Sequence, residues 1–117
     1  MTNLKTLISE LNELVLQGKT MEAFEKFYGD DVVMQENSEP PTVGKNANRK
    51  REEEFLDQLI DFRSARVLDV AVGDNLTLVH WSYDYTHKAW GLKNYTQVSV
   101  QHWRDGQIIK EQFLYDN

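Results

Sequence analysis

The chain has 117 residues, a formal net charge of -6 and no cysteine, with 40% hydrophobic and 27% charged residues. This length suits one domain over residues 1–117, which can bury roughly two-thirds of its unfolded surface. The acidic balance argues against a nucleic-acid-binding protein and against binding to an anionic membrane surface, and the lack of cysteine excludes disulfides and cysteine-ligated metals.

Membrane spans and export signals are also not expected. No apolar run approaches the ~20 residues of a membrane-spanning helix. The first residues lead directly into a helical pattern and lack the basic start and unbroken apolar stretch of a signal peptide. The expected location is therefore the cytoplasm.

Two helices are predicted in the first 30 residues. Thr2 or Asn3 can cap the first helix and Gly18 can end it. Thr20 can cap a second, short helix that stops at Gly29. Three- and four-residue spacing marks the apolar face of the first helix, which consists of Leu4, Leu7, Ile8, Leu11, Leu14 and Val15.

A short strand at residues 32–36 is followed by a loop with two prolines at residues 37–41. A third helix is predicted over residues 46–60, and it carries a charge run at residues 49–54. This run is interpreted as a solvated helix face with Arg49–Glu53 and Lys50–Glu54 pairs, although a phosphate-binding patch is the alternative.

The second half of the chain is rich in Val, Ile, Thr, Tyr and Trp and predicts four strands. Turn signals separate two pairs of them, at residues 73–75 and 104–106. Helices followed by an antiparallel meander predict an α+β fold in which the helices cover one face of the sheet. The predicted strands cover residues 66–72, 76–86, 95–104 and 107–115.

This order resembles the SnoaL-like branch of the nuclear-transport-factor-2-like superfamily, which includes relatives of ketosteroid isomerase. The similar strings are residues 27–34 (FYGDDVVM), Gly44-Lys45 at the start of helix three, and residues 98–116 (VSVQHWRDGQIIKEQFLYD). The resemblance implies a cone-shaped, curved antiparallel sheet wrapped around three N-terminal helices. Because this superfamily hosts several enzyme types and non-catalytic binders, it implies a pocket and leaves the reaction open.

The resemblance to ketosteroid isomerases carries over only in part. The position of their general base, at the end of the short strand, is occupied by Glu36. The position of their protonated carboxyl donor is occupied by Gln101, and that of their helix-one tyrosine by Leu11. SnoaL-like cyclases place acidic or histidine groups on the later strands, where His80 and Glu111 are the nearest candidates.

Two registers are possible for the last hairpin. If Asp105-Gly106 is a two-residue loop, Arg104 faces Gln107. If Gly106 forms a left-handed bulge, Trp103 faces Gln107 and Gln101 shares a face with Glu111. The resemblance favours the second register, and it places Tyr95, Gln97, Ser99, Gln101 and Trp103 on one face with Ile109, Glu111, Phe113 and Tyr115.

The predicted catalytic residues are Glu36, Glu111 and His80. Glu111 is expected to be covered in either register, as a functional acid or as half of a salt bridge with Arg63 or Arg66. Glu36 is either a pocket acid or a solvated strand end. His80 points inward in the family view and outward if the aromatic residues of its strand form the core. The predicted substrate-binding residues are Gln101, Trp103, Phe113 and Tyr115.

The leading functional hypothesis is a proton-transfer enzyme of isomerase, cyclase or dehydratase type, acting on a small and mostly apolar molecule. A non-catalytic ligand binder and a protein-interaction module are the alternatives. No metal or organic cofactor is expected, because the three histidines lack metal-ligand spacing and no nucleotide fingerprint is present. A homodimer is expected through the outer face of the sheet, formed by Val98, Val100, His102, Ile108 and Leu114.

Overall fold

The computed structural model describes residues 3–116, and its elements follow the predicted order. Three helices are present: α1 (Leu4–Leu16), α2 (Thr20–Phe27) and α3 (Lys45–Asp57). Six strands accompany them: β1 (Tyr28–Glu36), β2 (Thr42–Val43), β3 (Leu59–Val72), β4 (Leu76–His87), β5 (Gly91–Arg104) and β6 (Gln107–Leu114). None of these helices between residues 3 and 116 is long and apolar enough to cross a bilayer.

Local sequence explains the ends of α1. The side chain of Asn3 accepts hydrogen bonds from the backbone N–H groups of Lys5 and Thr6, which makes Asn3 the N-cap. The alternative cap, Thr2, lies outside the described residues. Gly18 follows the helix with a φ of 79°, a left-handed conformation that favours glycine.

The strands are longer than predicted. β1 begins at Tyr28 and not at residue 32, and β3 begins at Leu59 and not at residue 66. Helix α3 therefore ends at Asp57 and does not reach residue 60 as predicted. Residues 59–65 were missed because they contain charged residues and no regular alternation, whereas in the structure they pair with β4 through a ladder with two irregularities.

The six strands form one open, mixed sheet in the order β2-β1-β6-β5-β4-β3. Neighbouring strands are antiparallel except β1 and β6, which run parallel, with Met34 opposite Glu111. This parallel pair joins the first strand of the chain to the last one. The three helices pack on the sheet, and the architecture is the predicted α+β fold in which a curved sheet wraps around N-terminal helices.

The core lies between the helices and the inner face of the sheet. Alternate residues of β4 point inward, which buries Val79, Trp81 and Tyr85 and leaves His80 on the outer face. Helices α1 and α2 contribute the other side of this core, with Ile8, Leu11, Phe24 and Phe27 fully or almost fully buried.

The last hairpin combines features of both predicted registers. Asp105 and Gly106 have φ values of 53° and 78°, and Arg104 faces Gln107, so the loop has two residues. A β-bulge follows, because Trp103 pairs with Ile108 and His102 pairs with Lys110.

The bulge leaves Ile109 as the extra residue, and beyond it Gln101 faces Glu111, as the favoured register predicted. The expected position of Ile108 is wrong: the bulge turns this residue into the core, where its exposed fraction is 0%.

Candidate functional site

A cavity of about 100 Å³ lies between the helices and the inner face of the sheet. Apolar and aromatic side chains form most of its wall, and polar groups from α3, β1, β5 and β6 reach into it. Six residues define its character: Phe24, Tyr28, Glu52, Tyr83, Gln101 and Glu111. Leu11 of α1 also lines the cavity, at the position where ketosteroid isomerases have a tyrosine. The phenol that contacts Glu111 comes instead from Tyr28, at the start of β1.

Glu111 is the buried acid of this cavity, with only 2% of its surface exposed. The hydroxyl of Tyr28 donates a hydrogen bond to its Oε1, and Nε2 of Gln101 donates to its Oε2 over 2.7 Å. Burial raises the pKa of Glu111 to about 7, and the two hydrogen bonds act in the opposite direction. Both hydrogen-bond partners of the Glu111 carboxylate are therefore neutral groups, a phenol and an amide. Within residues 3–116, Glu111 forms no salt bridge.

The predicted alternative of a buried salt bridge is wrong. Arg63 pairs with Asp84 at 2.8 Å and Asp61 at 3.2 Å, on the outer side of the sheet. Arg66 is exposed and lies opposite Ser82, an outward-facing residue of β4. Neither guanidinium contacts Glu111.

A chain of hydrogen bonds continues from Glu111 into the core. Oε1 of Gln101 accepts from the hydroxyl of Thr77 over 2.7 Å, and Oγ1 of Thr77 accepts from the indole N–H of Trp103 over 2.8 Å. Thr77, Gln101 and Trp103 are buried. Each polar atom in this chain has a partner, which is the condition under which a buried polar network is stable.

Glu52 is the second acid of the cavity, and the sequence analysis missed it. Its pKa is raised to about 7 by burial, by the nearby charge of Glu111 and by Glu36, whereas Arg51 lowers it. Glu52 was hidden in the charge run that was interpreted as a solvated helix face. Its position, four residues after Asn48 and three before Phe55, places it on the inward face of α3.

The ion pairs predicted for this charge run are not those of the structure. Arg49 binds both carboxylate oxygens of Glu25 on α2, and Arg51 binds Glu36 at the end of β1. The helix therefore uses its arginines to hold neighbouring elements, and the predicted pairs Arg49–Glu53 and Lys50–Glu54 are not among the ion pairs of the described residues.

Glu36 belongs to a separate cluster next to the cavity. Its carboxylate accepts from the guanidinium of Arg51 over 3.0 Å and from the hydroxyl of Tyr115 over 3.1 Å. The side chains of Arg51 and Glu36 are 53% and 40% exposed, so this is a solvated ion pair. Tyr115 packs against Tyr95, whose hydroxyl lies 2.8 Å from that of Tyr85.

The sequence-predicted residues thus fall into three groups. Glu111, Gln101 and Phe113 line the cavity, and Trp103 reaches it through Thr77. Glu36 and Tyr115 form the neighbouring cluster. His80 lies on the outer face of the sheet, opposite Val98 and Asp69. Of the two directions predicted for His80, the outward one is therefore correct and the inward one is wrong. His80 therefore cannot act on a molecule in this cavity.

Metal binding has no evident site in the described part of the chain. From residue 3 to residue 116, no three His, Asp or Glu side chains are arranged to hold a metal ion. The expected absence of a cofactor stays a prediction.

Several solved structures share the whole fold. A protein from Mesorhizobium loti, described provisionally as a SnoaL-like polyketide cyclase, is 23% identical with a TM-score of 0.86, over 96% of this chain and 98% of its own. An NTF2-like protein of unknown function from Burkholderia pseudomallei is 11% identical with a TM-score of 0.82, over 99% and 92% of the two chains. At these identities the likeness shows the fold alone.

The family follows from the sequence itself. A search of curated protein sequences gives no match. The model of the SnoaL-like domain matches residues 1–115, which is nearly the whole chain. The predicted resemblance is therefore confirmed, and the chain belongs to the SnoaL-like domain family.

Proposed function

We propose that the chain is a proton-transfer enzyme of isomerase, cyclase or dehydratase type, with Glu52 as the group that transfers the proton and Glu111 as the carboxylate beside it. One observation carries the proposal: two carboxylates share a small, mostly apolar cavity, and both have pKa values raised to about 7. A carboxyl group with such a pKa can both accept and return a proton near neutral pH.

The two acids have different surroundings, which suggests different roles. Both oxygens of Glu111 accept hydrogen bonds, so this group is held in place. For Glu52, by contrast, no hydrogen bond to its carboxylate is found among the side chains of residues 3–116. Glu52 is therefore the group that exchanges a proton with the substrate, and Glu111 is the neighbouring charge that raises its pKa.

The cavity limits the substrate. Its volume of about 100 Å³ is below the ~300–1,000 Å³ of typical ligand pockets. The lining residues include no lysine, arginine or histidine, and two of them are acids, so an anionic substrate is disfavoured. A neutral molecule no larger than a single small ring fits this description.

Hydrogen–deuterium exchange tests the proposal. Cyclopentanone is a neutral probe of this size with acidic protons beside its carbonyl, and exchange of these protons in deuterated buffer is followed by NMR. In the proposed step Glu52 takes the proton, the electron pair of the C–H bond forms a carbon–carbon double bond, and the π electron pair of the carbonyl moves to its oxygen. Glu52 then exchanges its proton for a deuteron of the buffer and returns the deuteron to the carbon as the carbonyl re-forms. Exchange faster than in buffer and lost in Glu52→Gln supports the proposal. The absence of acceleration by the wild-type protein, at saturating probe, contradicts it.

A non-catalytic binder is the second candidate, and the small volume of the cavity favours it. Binding of the probe is measured in the same samples by tryptophan fluorescence, to which the cavity-lining Trp81 contributes. Binding without accelerated exchange, equal in wild type and Glu52→Gln, would assign the binder function.

The proposed partner is a second copy of the chain. Leu78, Val98, Val100 and Leu114 lie side by side on the outer face of β4, β5 and β6, where Leu78 faces Val100 and Val98 faces Leu114. The same patch on a second copy offers a matching apolar surface. Light scattering at high micromolar concentration is expected to give a dimer mass, and Val98→Glu is expected to give a monomer. A monomeric wild-type chain would exclude the dimer.

A further inference from the structure

The hydrogen-bond chain behind Glu111 has a direction. An indole N–H can only donate, so the oxygen of Thr77 must accept from Trp103. The proton of the Thr77 hydroxyl then needs another acceptor, and Oε1 of Gln101 lies 2.7 Å away. With its oxygen engaged in this way, the amide of Gln101 presents its N–H group to Glu111.

The reverse orientation of the amide is unfavourable. If the amide turned over, its NH₂ group would face Thr77, and the hydroxyl of Thr77 would lose Oε1 of Gln101 as the acceptor of its proton. The amide oxygen of Gln101 would then face Oε2 of Glu111, which is tolerable only when Glu111 carries a proton. The orientation of Gln101 and the charge of Glu111 are therefore coupled.

We propose that Trp103, Thr77 and Gln101 form a positioning relay that holds Glu111 as the anion of the pair and leaves the mobile proton to Glu52. Its importance for catalysis rests on the proposed function, whereas its effect on the charge of Glu111 does not. Gln101 is the member that touches Glu111, and Thr77 and Trp103 act through it. Both lie outside the group that contacts the cavity.

The other groups around Glu111 come from three elements. Tyr28 on β1 donates to it, and Glu52 on α3 is the titratable neighbour across the cavity. Tyr83 on β4 is a neutral phenol whose pKa is raised by burial and by Glu111. Arg51 and Glu36 act on Glu52 with opposite sign. These groups stay unchanged when Thr77 is replaced. A change in the Glu111 titration after this substitution therefore reports the effect of the relay and not that of the other neighbours.

The test is a titration of Glu111 by ¹³C NMR of the side-chain carboxyl carbon, in the background of Glu52→Gln. Only one of the two cavity acids then titrates. Thr77→Val keeps the shape of the side chain and removes the hydroxyl, so Gln101 is no longer held with its N–H group toward Glu111. The midpoint of Glu111 is expected to rise by about 0.5 to 1 pH unit, less than the roughly one to two units that loss of a whole hydrogen bond to a charged group would give. Thr77→Ser restores the hydroxyl and is expected to return the midpoint to within about 0.3 units of the parent.

Two results would overturn the relay: an unchanged midpoint in Thr77→Val, or an equal rise in Thr77→Ser. If Thr77→Val does not fold, Trp103→Phe is titrated instead. Trp103→Phe is expected to raise the midpoint of Glu111 less than Thr77→Val, because the Thr77 hydroxyl remains but can then either donate to Gln101 or accept from it. An unchanged midpoint in Trp103→Phe contradicts the role of the indole.

Exchange of cyclopentanone protons separates the two proposals. A shifted titration without any exchange activity in the wild type keeps the relay and removes the proposed function. Exchange activity with an unshifted titration does the opposite.

Discussion

Glu111 and Glu36 lie on two strands that run parallel side by side, and their surroundings are opposite. Met34 faces Glu111 across the ladder, and Glu36 is two residues further along on the same face of β1. Glu111 is buried between a phenol and an amide, whereas Glu36 is solvated and paired with Arg51. The comparison shows that the position of an acid on a strand does not decide its chemistry; the groups that compensate its charge do.

Replacement of Glu111 by glutamine is expected to give the largest effect. The folded-state pKa of Glu111 lies near 7, above its ordinary value of 4.5, so the folded protein holds this proton more tightly than the unfolded chain. Stability is therefore lost as pH rises from about 4.5 to about 7 and is then constant, at a cost of about 3 kcal/mol. Glu111→Gln removes this cost, and the variant is expected to be more stable than wild type at pH 8 and similar at pH 5.

Urea unfolding followed by tryptophan fluorescence at both pH values measures this difference. Glu36→Gln is the matched control and is expected to change the free energy of unfolding by less than about 1 kcal/mol at either pH, because its partner is solvated. A Glu111→Gln variant that is less stable than wild type at pH 8 would mean that the charge of Glu111 is compensated by a group other than the two neutral donors.

Tyr28→Phe sharpens the comparison by removing one of these donors. Without the hydroxyl, the anionic form of Glu111 loses a hydrogen bond, so its pKa is expected to rise and the protein to lose about 1–3 kcal/mol at pH 8. At pH 5, where Glu111 is protonated, the loss is expected to be smaller. The same urea experiment reports both values.

Tyr83→Phe is the control for this substitution. Tyr83 lines the same cavity, and no hydrogen bond of its hydroxyl is found among the described side chains. Equal losses in the two variants at pH 8 would show that the effect comes from packing in the cavity and not from the bond to Glu111.

The smallest expected effect concerns the solvated pair and its influence on Glu52. Arg51 lowers the pKa of Glu52 and Glu36 raises it. Arg51→Gln is therefore expected to raise the Glu52 midpoint, and Glu36→Gln to lower it, each with little change in stability. A ¹³C titration of Glu52 in the Glu111→Gln background checks the signs. Shifts of equal sign in both variants would contradict the electrostatic cause.

Much of the fold could be predicted because local patterns agree with the tertiary structure. The apolar spacing in α1 and the alternation in β4 describe which side faces the core, and Asp105-Gly106 marks the last turn. The parallel pairing of β1 with β6 could not be derived, because no local signal connects two strands that are about 75 residues apart in the chain.

The candidate site was predictable only where burial follows from strand alternation. Glu111 shares a face of β6 with Phe113, and this alternation correctly predicts that Glu111 is buried. Glu52 lies among six consecutive charged residues, and its inward direction is decided by the packing of α3 on the sheet. His80 was ambiguous because the aromatic residues of β4 indicate an outward direction for it, whereas the resemblance to the family indicates an inward one.

The bulge at Ile109 decides the sign of the charge inside the cavity. If β6 paired regularly from Gln107 onward, each later residue would move by one place, and Lys110 would stand opposite Gln101 in place of Glu111. The same amino acids would then surround an amine, a potential nucleophile, where a carboxylate now lies. Among proteins that share this fold at low sequence identity, a shift of one residue in a strand can thus exchange one kind of chemistry for another without any substitution.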